Sequence, residues 1–253
     1  MNSLYLTAPA AVAAAAAGIT AYGAAYPRAQ IFGSTICRTN SPRKLTITFD
    51  DGPNPAITPK LLDLLDRYSA HATFFLIGRF VRECPALVKE TVARGHEVGN
   101  HTELHPNLFW LNPTKVQVEL RLCHDAIRHA IGTPPKWFRP PFGLRNPWVI
   151  PAARDLGCQT VMWTLIPGDW REKPAEWLIQ RMQPIAAHAQ NVSKNGSIPT
   201  GGTGDILCLH DGGHRELNAD RTRTLTALEY WLPRWRDLGL EFVTMDEAVR
   251  QFD

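Results

Sequence analysis

Five short stretches carry the side chains best suited to chemistry. They are Asp50-Asp51, His101 with His105, Arg139 in a proline-stiffened segment, Asp169-Trp170, and His210-Asp211. Adjacent carboxylates repel each other unless a cation or a shared proton relieves them, although Asp-Gly after a strand is also a common polar turn. Histidines four apart lie on one face of a helix and can present two imidazoles to one ion; they also occur by chance on surfaces. Glu103 stands second after His101, so the segment is not the HExxH pattern of metalloproteases. Two imidazoles and one carboxylate would leave open positions on an ion, as a catalytic metal requires. Arg139 brings a permanent charge and a rigid donor fork, suited to orienting a carboxylate beside a backbone N–H aimed at an oxyanion; the bland alternative is a surface loop. Asp169 can fix an imidazole next to an aromatic wall, or simply cap a helix. His210 is a third histidine for the set, at the end of a hydrophobic strand.

These residues fall where strands are expected to end. Alternating apolar and β-branched residues predict strands at 45–49, 72–77, 96–100, 137–139, 159–164, 205–209 and 241–244. Amphipathic runs predict helices at 57–68, 85–94, 112–131, 148–156, 174–187, 219–238 and 245–251. Asn112 or Thr114 can cap the long helix at 112–131 and Gly132 can end it. The alternation implies βαβ units and a mainly parallel sheet or barrel, in which sites are built at the C-terminal strand ends. Residues 190–203, polar and rich in Gly, Ser and Asn, read as an exposed loop; Asn191-Val192-Ser193 within it is a glycosylation sequon.

The chain has 253 residues, 44% hydrophobic and 20% charged, with a net charge of +3. That composition excludes disorder and gives no basic footprint for nucleic acid. The five cysteines (37, 84, 123, 158 and 208) are odd in number and contain no CxxC spacing, which removes zinc fingers and thioredoxin-type redox chemistry. No charged residue precedes Arg28. Residues 4–26 are apolar, alanine-rich and long enough to span a bilayer as a helix. Anchor, export signal and packed helix are the three readings. We therefore divide the chain into an apolar segment, 1–27, and a catalytic domain, 28–253. Nothing in the sequence sets an oligomeric state.

The motifs TFDDGP at 48–53, HTxxHP at 101–106, RPPFG at 139–143, DW at 169–170 and LHD at 209–211 occur in an order that resembles the polysaccharide deacetylases, the NodB-homology group of carbohydrate esterases (family 4). The resemblance runs from about Lys44 to Val249. It implies an α/β fold, a distorted (β/α) barrel of about seven parallel strands, here preceded by the N-terminal apolar helix. It implies metal-dependent removal of N-acetyl groups from an acetylated glycan such as peptidoglycan, a chitin-like oligomer or an envelope polysaccharide. Asp51, His101 and His105 would hold a divalent ion, zinc first, with cobalt, nickel, manganese or iron open. Asp50 would be the base and His210 the acid; Arg139 would orient Asp50, and Asp169 would keep His210 protonated. The Phe142 N–H would face the oxyanion, Trp170, Leu209 and Cys208 would wall the substrate pocket, and Thr102 would support the ligand loop.

Three positions depart from the family pattern. Phe142 stands where tyrosine is common, Ile166 where an aspartate is common, and Cys208 where leucine is common. Of the other histidines (71, 96, 124, 129, 188 and 214), His214 is near enough to the last motif to reach a substrate. The rival readings are an O-acetyl xylan-type esterase, a small-amide hydrolase, and a non-catalytic carbohydrate-binding protein. The apolar segment favours the cell envelope, with membrane association through residues 4–26, over the cytoplasm.

Overall fold

The structure, a computed structural model, describes residues 4–194 and 203–250. Its elements begin with α1 (Leu4–Ala25), β1 (Thr35–Ile36), β2 (Lys44–Gly52), α2 (Thr58–Arg67), β3 (Ala72–Leu76), α3 (Gly78–Glu83), α4 (Pro85–Ala93) and β4 (Glu97–Asn100). They continue with α5 (Pro113–Ile131), β5 (Trp137–Phe138), α6 (Val149–Asp155), β6 (Gln159–Val161), α7 (Ala175–Lys194), β7 (Asp205–His210), α8 (Thr222–Asp237), β8 (Glu241–Phe242) and α9 (Met245–Val249). All strand pairings are parallel, in the order β1-β6-β5-β4-β3-β2-β7, with β8 joined to the start of β2. Past β6 the chain returns to the far edge of β7, where Leu165 bridges Leu207 and the Cys208 N–H donates to the Leu165 carbonyl at 2.9 Å. The sheet thus curls into the expected distorted barrel, seven strands in continuous order.

Strand parity sorts the side chains. On β2, Leu45, Ile47 and Phe49 join the large apolar cluster shared with the surrounding helices, while Thr48 and Asp50 face the interior, where both meet Arg139. That outer cluster contains Leu61, Leu62, Leu64 and Leu65 of α2 and Leu228, Trp231, Leu232 and Trp235 of α8. The α5 termini follow their sequence signals. The Asn112 side chain accepts the Lys115 N–H, and Gly132 closes the helix with φ +81°, a conformation glycine adopts without a Cβ penalty.

Three elements differ from the sequence expectation. β1 and α3 are too short to leave a periodic pattern. The stretch predicted as an exposed loop from residue 190 is helical through Lys194, because helix formers at 186–190 carry α7 onward; residues 195–202 lie outside the described residues. In α1, among the residues whose burial is described, 11–22 are exposed and Gly23 and Ala24 are buried. The packed-helix reading is met at its last turn. Among the described residues no helix is long and apolar enough to cross a membrane.

That last turn is held by Arg145, a fully buried arginine. Its guanidinium donates to the carbonyls of Tyr26 (2.6 Å), Ala29 (3.2 Å) and Gly143 (3.0 Å), and its N–H donates to the Ala24 carbonyl at 3.1 Å. Hydrogen bonds from a charged donor contribute about 1.5–3 kcal/mol each, so R145A should cost about 3 kcal/mol or more. At ~2–4 °C per kcal/mol for a domain of this size, the melting temperature should fall by ~6–12 °C, with new protease cleavage around residues 26–33. An unchanged melting temperature and cleavage pattern would refute this tethering role.

Candidate active site

A cavity of about 540 Å³ opens at the C-terminal ends of the strands, lined by Asp50, Asp51, His101, His105, Phe142, Trp163, Trp170 and His210 among others. Strand alternation should send Asp50 and Asp51 to opposite faces. The structure escapes that rule with a register slip between β2 and β3 at residues 50–52, and with Asp51 in the left-handed region at φ +71°. Such a bulge re-aims one side chain, and both carboxylates reach the cavity.

The two sequence-predicted histidines arrive by a turn, not by a helix. Residues 101–105 are non-helical, and Thr102 (φ +70°) and His105 (φ +59°) are both left-handed. Buried polar groups hold this costly backbone. Asn100 Oδ1 accepts the Thr102 N–H, Thr102 Oγ1 accepts the His105 N–H, and the Glu119 carboxylate accepts the N–H groups of Glu103 and Leu104. Glu103 is bound to Arg82 and takes no part in the cavity.

His101 Nδ1 lies 2.8 Å from the Arg139 carbonyl, which as a pure acceptor fixes the proton on that nitrogen. Its Nε2 is left facing Asp51 Oδ1 at 3.6 Å and Asp50 Oδ2 at 3.8 Å. His105 Nε2 lies 3.2 Å from the same Asp51 oxygen. Burial first, then its neighbouring histidines, push the His105 imidazole far below its ordinary range, so it is neutral. Asp51 Oδ1 is buried and has no hydrogen-bond donor. An orphaned carboxylate oxygen facing two imidazole nitrogens is the donor set a divalent cation takes, so the residues fit such an ion.

Asp50 is partnered differently. Arg139, fully buried, donates to Asp50 Oδ1 and to Thr48 Oγ1 at 2.7 Å each, and to the Val161 and Met162 carbonyls at 3.3 and 3.2 Å. Its guanidinium carbon lies 4.2 Å from the centroid of the Phe75 ring. Burial alone would raise the Asp50 carboxyl; the Arg139 charge, followed by His101 and His210, outweighs burial and holds it below its ordinary value. Cys208 sits under this pair, its Sγ 3.4 Å from Asp50 Oδ2 and 3.5 Å from Arg139.

The fourth and fifth motifs meet at His210. Its Nδ1 is 2.8 Å from Asp169 Oδ1, and Asp169 Oδ2 accepts both the His210 N–H (2.8 Å) and the Thr224 hydroxyl (3.0 Å). Burial opposes protonation, but Asp169 prevails and raises the imidazole to about 9. The Trp170 ring stands edge-on to it at 5.0 Å. Phe142 lies at the rim with φ +58°, its ring exposed.

Two expected pocket residues lie elsewhere. Leu209 packs into the outer apolar cluster, because His210 faces inward and strand parity turns its neighbour outward. Cys208 faces inward but lies beneath the carboxylate, fully buried, and does not line the cavity. The cavity wall includes residues not predicted for it, notably Arg215, Arg221 and Gly143. Gly143 closes the RPPFG motif, whereas Arg215 and Arg221 belong to no spacing pattern and arrive from an irregular segment between β7 and α8. Ile166, at the position where the family often has aspartate, also lines the wall, as does His214.

Residues 38–161 match the family described as "Polysaccharide deacetylase". A peptidoglycan-N-acetylglucosamine deacetylase of Bacillus cereus is 39% identical over 212 residues, covering 83% of this chain and 90% of that protein. A chitooligosaccharide deacetylase of a Bradyrhizobium species is 34% identical, covering 79% and 87%. Among solved structures, a carbohydrate esterase family 4 pseudoenzyme from Bacillus anthracis superposes with a TM-score of 0.70 at 26% identity, over 86% of this chain and 69% of that one. On the first two relatives and the strand-end constellation together, the chain belongs to the polysaccharide deacetylase family.

Proposed function

We propose that the protein is a metal-dependent hydrolase that removes N-acetyl groups from an N-acetylated amino-sugar polymer, with peptidoglycan and chitin-like oligomers as the first candidates and the cell envelope as the place of action. One observation carries this reading. A carboxylate kept ionised by Arg139 and an imidazole kept protonated by Asp169 line the same cavity as an unpartnered carboxylate flanked by two histidines. Binding a sugar needs neither a charged base nor a charged acid. The superposition on a pseudoenzyme therefore leaves the catalytic reading in place, since fold does not set function.

Asp51, His101 and His105 would hold the ion, and zinc suits their nitrogen and oxygen donors. When bound, such an ion polarises a carbonyl and brings the pKa of a coordinated water toward ~7. The protein supplies the proton transfers. Asp50 accepts a proton from the attacking water, and Arg139 keeps it ionised and aimed. The Phe142 N–H, on its left-handed backbone, donates to the developing oxyanion. His210 gives its proton to the departing sugar amine, which is a poor leaving group until protonated; Asp169 holds that proton in readiness. Trp163 and Trp170 offer apolar surface for the sugar ring.

Acetate release by the full chain, supplied with zinc or cobalt, tests the proposal. Peptidoglycan and N-acetylglucosamine oligomers should yield acetate and acetylated xylan should not. Chelation should abolish the activity, and D50N should lower it by about 10²–10⁴-fold. Acetate from xylan alone would replace this reading with an ester hydrolase.

The pH profile gives a separate check. His210 acts in its protonated form, so the rate should fall as pH rises through about 9. The Asp50 limb lies below the ordinary carboxylate range and leaves the middle of the profile flat. In D169N the alkaline limb should move down toward the ordinary histidine value of ~6.5; an unmoved limb would remove His210 from the role of acid.

A further inference from the structure

We propose that His214 is a fourth protein ligand to the ion, beside Asp51, His101 and His105. This extends the metal-dependent reading of the cavity.

His214 sits at the tip of a tight turn. Gly213 and Glu216 form an antiparallel bridge across it, and the Glu216 N–H donates to the Gly213 carbonyl at 3.1 Å. The His214 carbonyl is bound by the guanidinium of Arg79 on α3, so a second element fixes its backbone over the cavity. The ring stacks on His105 with centroids 4.6 Å apart and an interplanar angle of 18°, so it must tilt out of that stack for both rings to aim an in-plane lone pair at one ion. Its Nδ1 is 4.0 Å from Asp51 Oδ2. The two Asp51 oxygens are thus divided: Oδ1 faces His101 and His105, and Oδ2 is approached by His214.

One donor atom each from Asp51, His105 and His214 fits within 4.8 Å of the others. Ligands at the usual ~2.0–2.2 Å from a tetrahedral ion stand roughly 3.3–3.6 Å apart. Side-chain adjustments on the order of an ångström, with a tilt of the His214 ring, therefore bring all three into range. The half-exposed His214 ring has room to make it. A fourth nitrogen or oxygen donor raises metal retention and takes one of the open positions. Turnover then requires a shell of more than four ligands, which zinc reaches in transition states and cobalt and nickel adopt readily.

A packing role is the competing explanation, since an aromatic ring on His105 would serve that purpose without a donor nitrogen. H214F and H214A separate the two. Zinc affinity is read by competition with a chromophoric chelator, and the ligand field by the visible spectrum of the cobalt-loaded protein. A ligand role predicts that both variants lose at least ~10-fold in affinity and share an altered cobalt spectrum. Wild-type affinity and spectrum in H214F would overturn it, whether or not H214A is weakened. Wild-type protein that binds neither ion would instead overturn the metal-dependent reading, and this inference with it.

Discussion

Two consecutive carboxylates, both buried, aim at one cavity, and most of the surrounding structure answers that constraint. Two like charges about 4 Å apart repel by about 4 kcal/mol at an effective dielectric of ~20, and each also loses hydration on burial. The fold gives each its own relief. Asp50 takes a fully buried arginine that reaches across the barrel from the end of β5. Asp51, turned by a bulge and a left-handed backbone, takes three imidazoles and no hydrogen-bond donor. The asymmetry divides the chemistry. The carboxylate beside a fixed positive charge is the one we propose as the base; the one without such a partner belongs to the proposed cation site.

Arg139 ties these two halves together. Its side chain anchors Asp50, while its backbone carbonyl sets the tautomer of His101 and so turns the other ring nitrogen toward Asp51. Arg145, six residues on, is equally buried but meets only carbonyls. Between them lies the segment that carries left-handed Phe142 at the cavity wall. Two buried guanidinium groups and two prolines thus pin one loop at both ends, which fixes an otherwise unfavourable backbone in place. A planar five-donor fork satisfies four acceptors at Arg139; a lysine ammonium, with three donors on one atom, could not.

The sheet and the main helices were legible because their signals are local. Alternation marked the strands, and Asn112 and Gly132 marked the ends of the long helix α5. The strand-end placement of the chemistry followed from the parallel architecture. Parity would also have corrected two residues: once His210 faces the cavity, Leu209 must face the helices and Cys208 must face inward below it. The histidine pair was found through a helical spacing that the chain does not adopt; a strained turn delivers the same two rings. His214, Arg215 and Arg221 lie in an irregular stretch with no period to read, and their approach to the cavity depends on long-range contacts such as that of Arg79.

Strain is concentrated where the chemistry sits. Among the described residues five non-glycine positions have positive φ, and four of them are Asp51, Thr102, His105 and Phe142. Each costs on the order of 1–3 kcal/mol and persists only where surrounding contacts overdetermine it. Here those contacts are identifiable: Asn100, Thr102 and Glu119 under the histidine turn, Arg139 and Arg145 around Phe142, and the slipped register of β2 against β3 under Asp51. The regular helices and their apolar cluster provide the stability from which this cost is met. The division explains why local sequence patterns describe the scaffold well and the site only by residue type. The scaffold obeys the periodicities of helix and strand, and the site works by departing from them at a few positions held by distant polar partners.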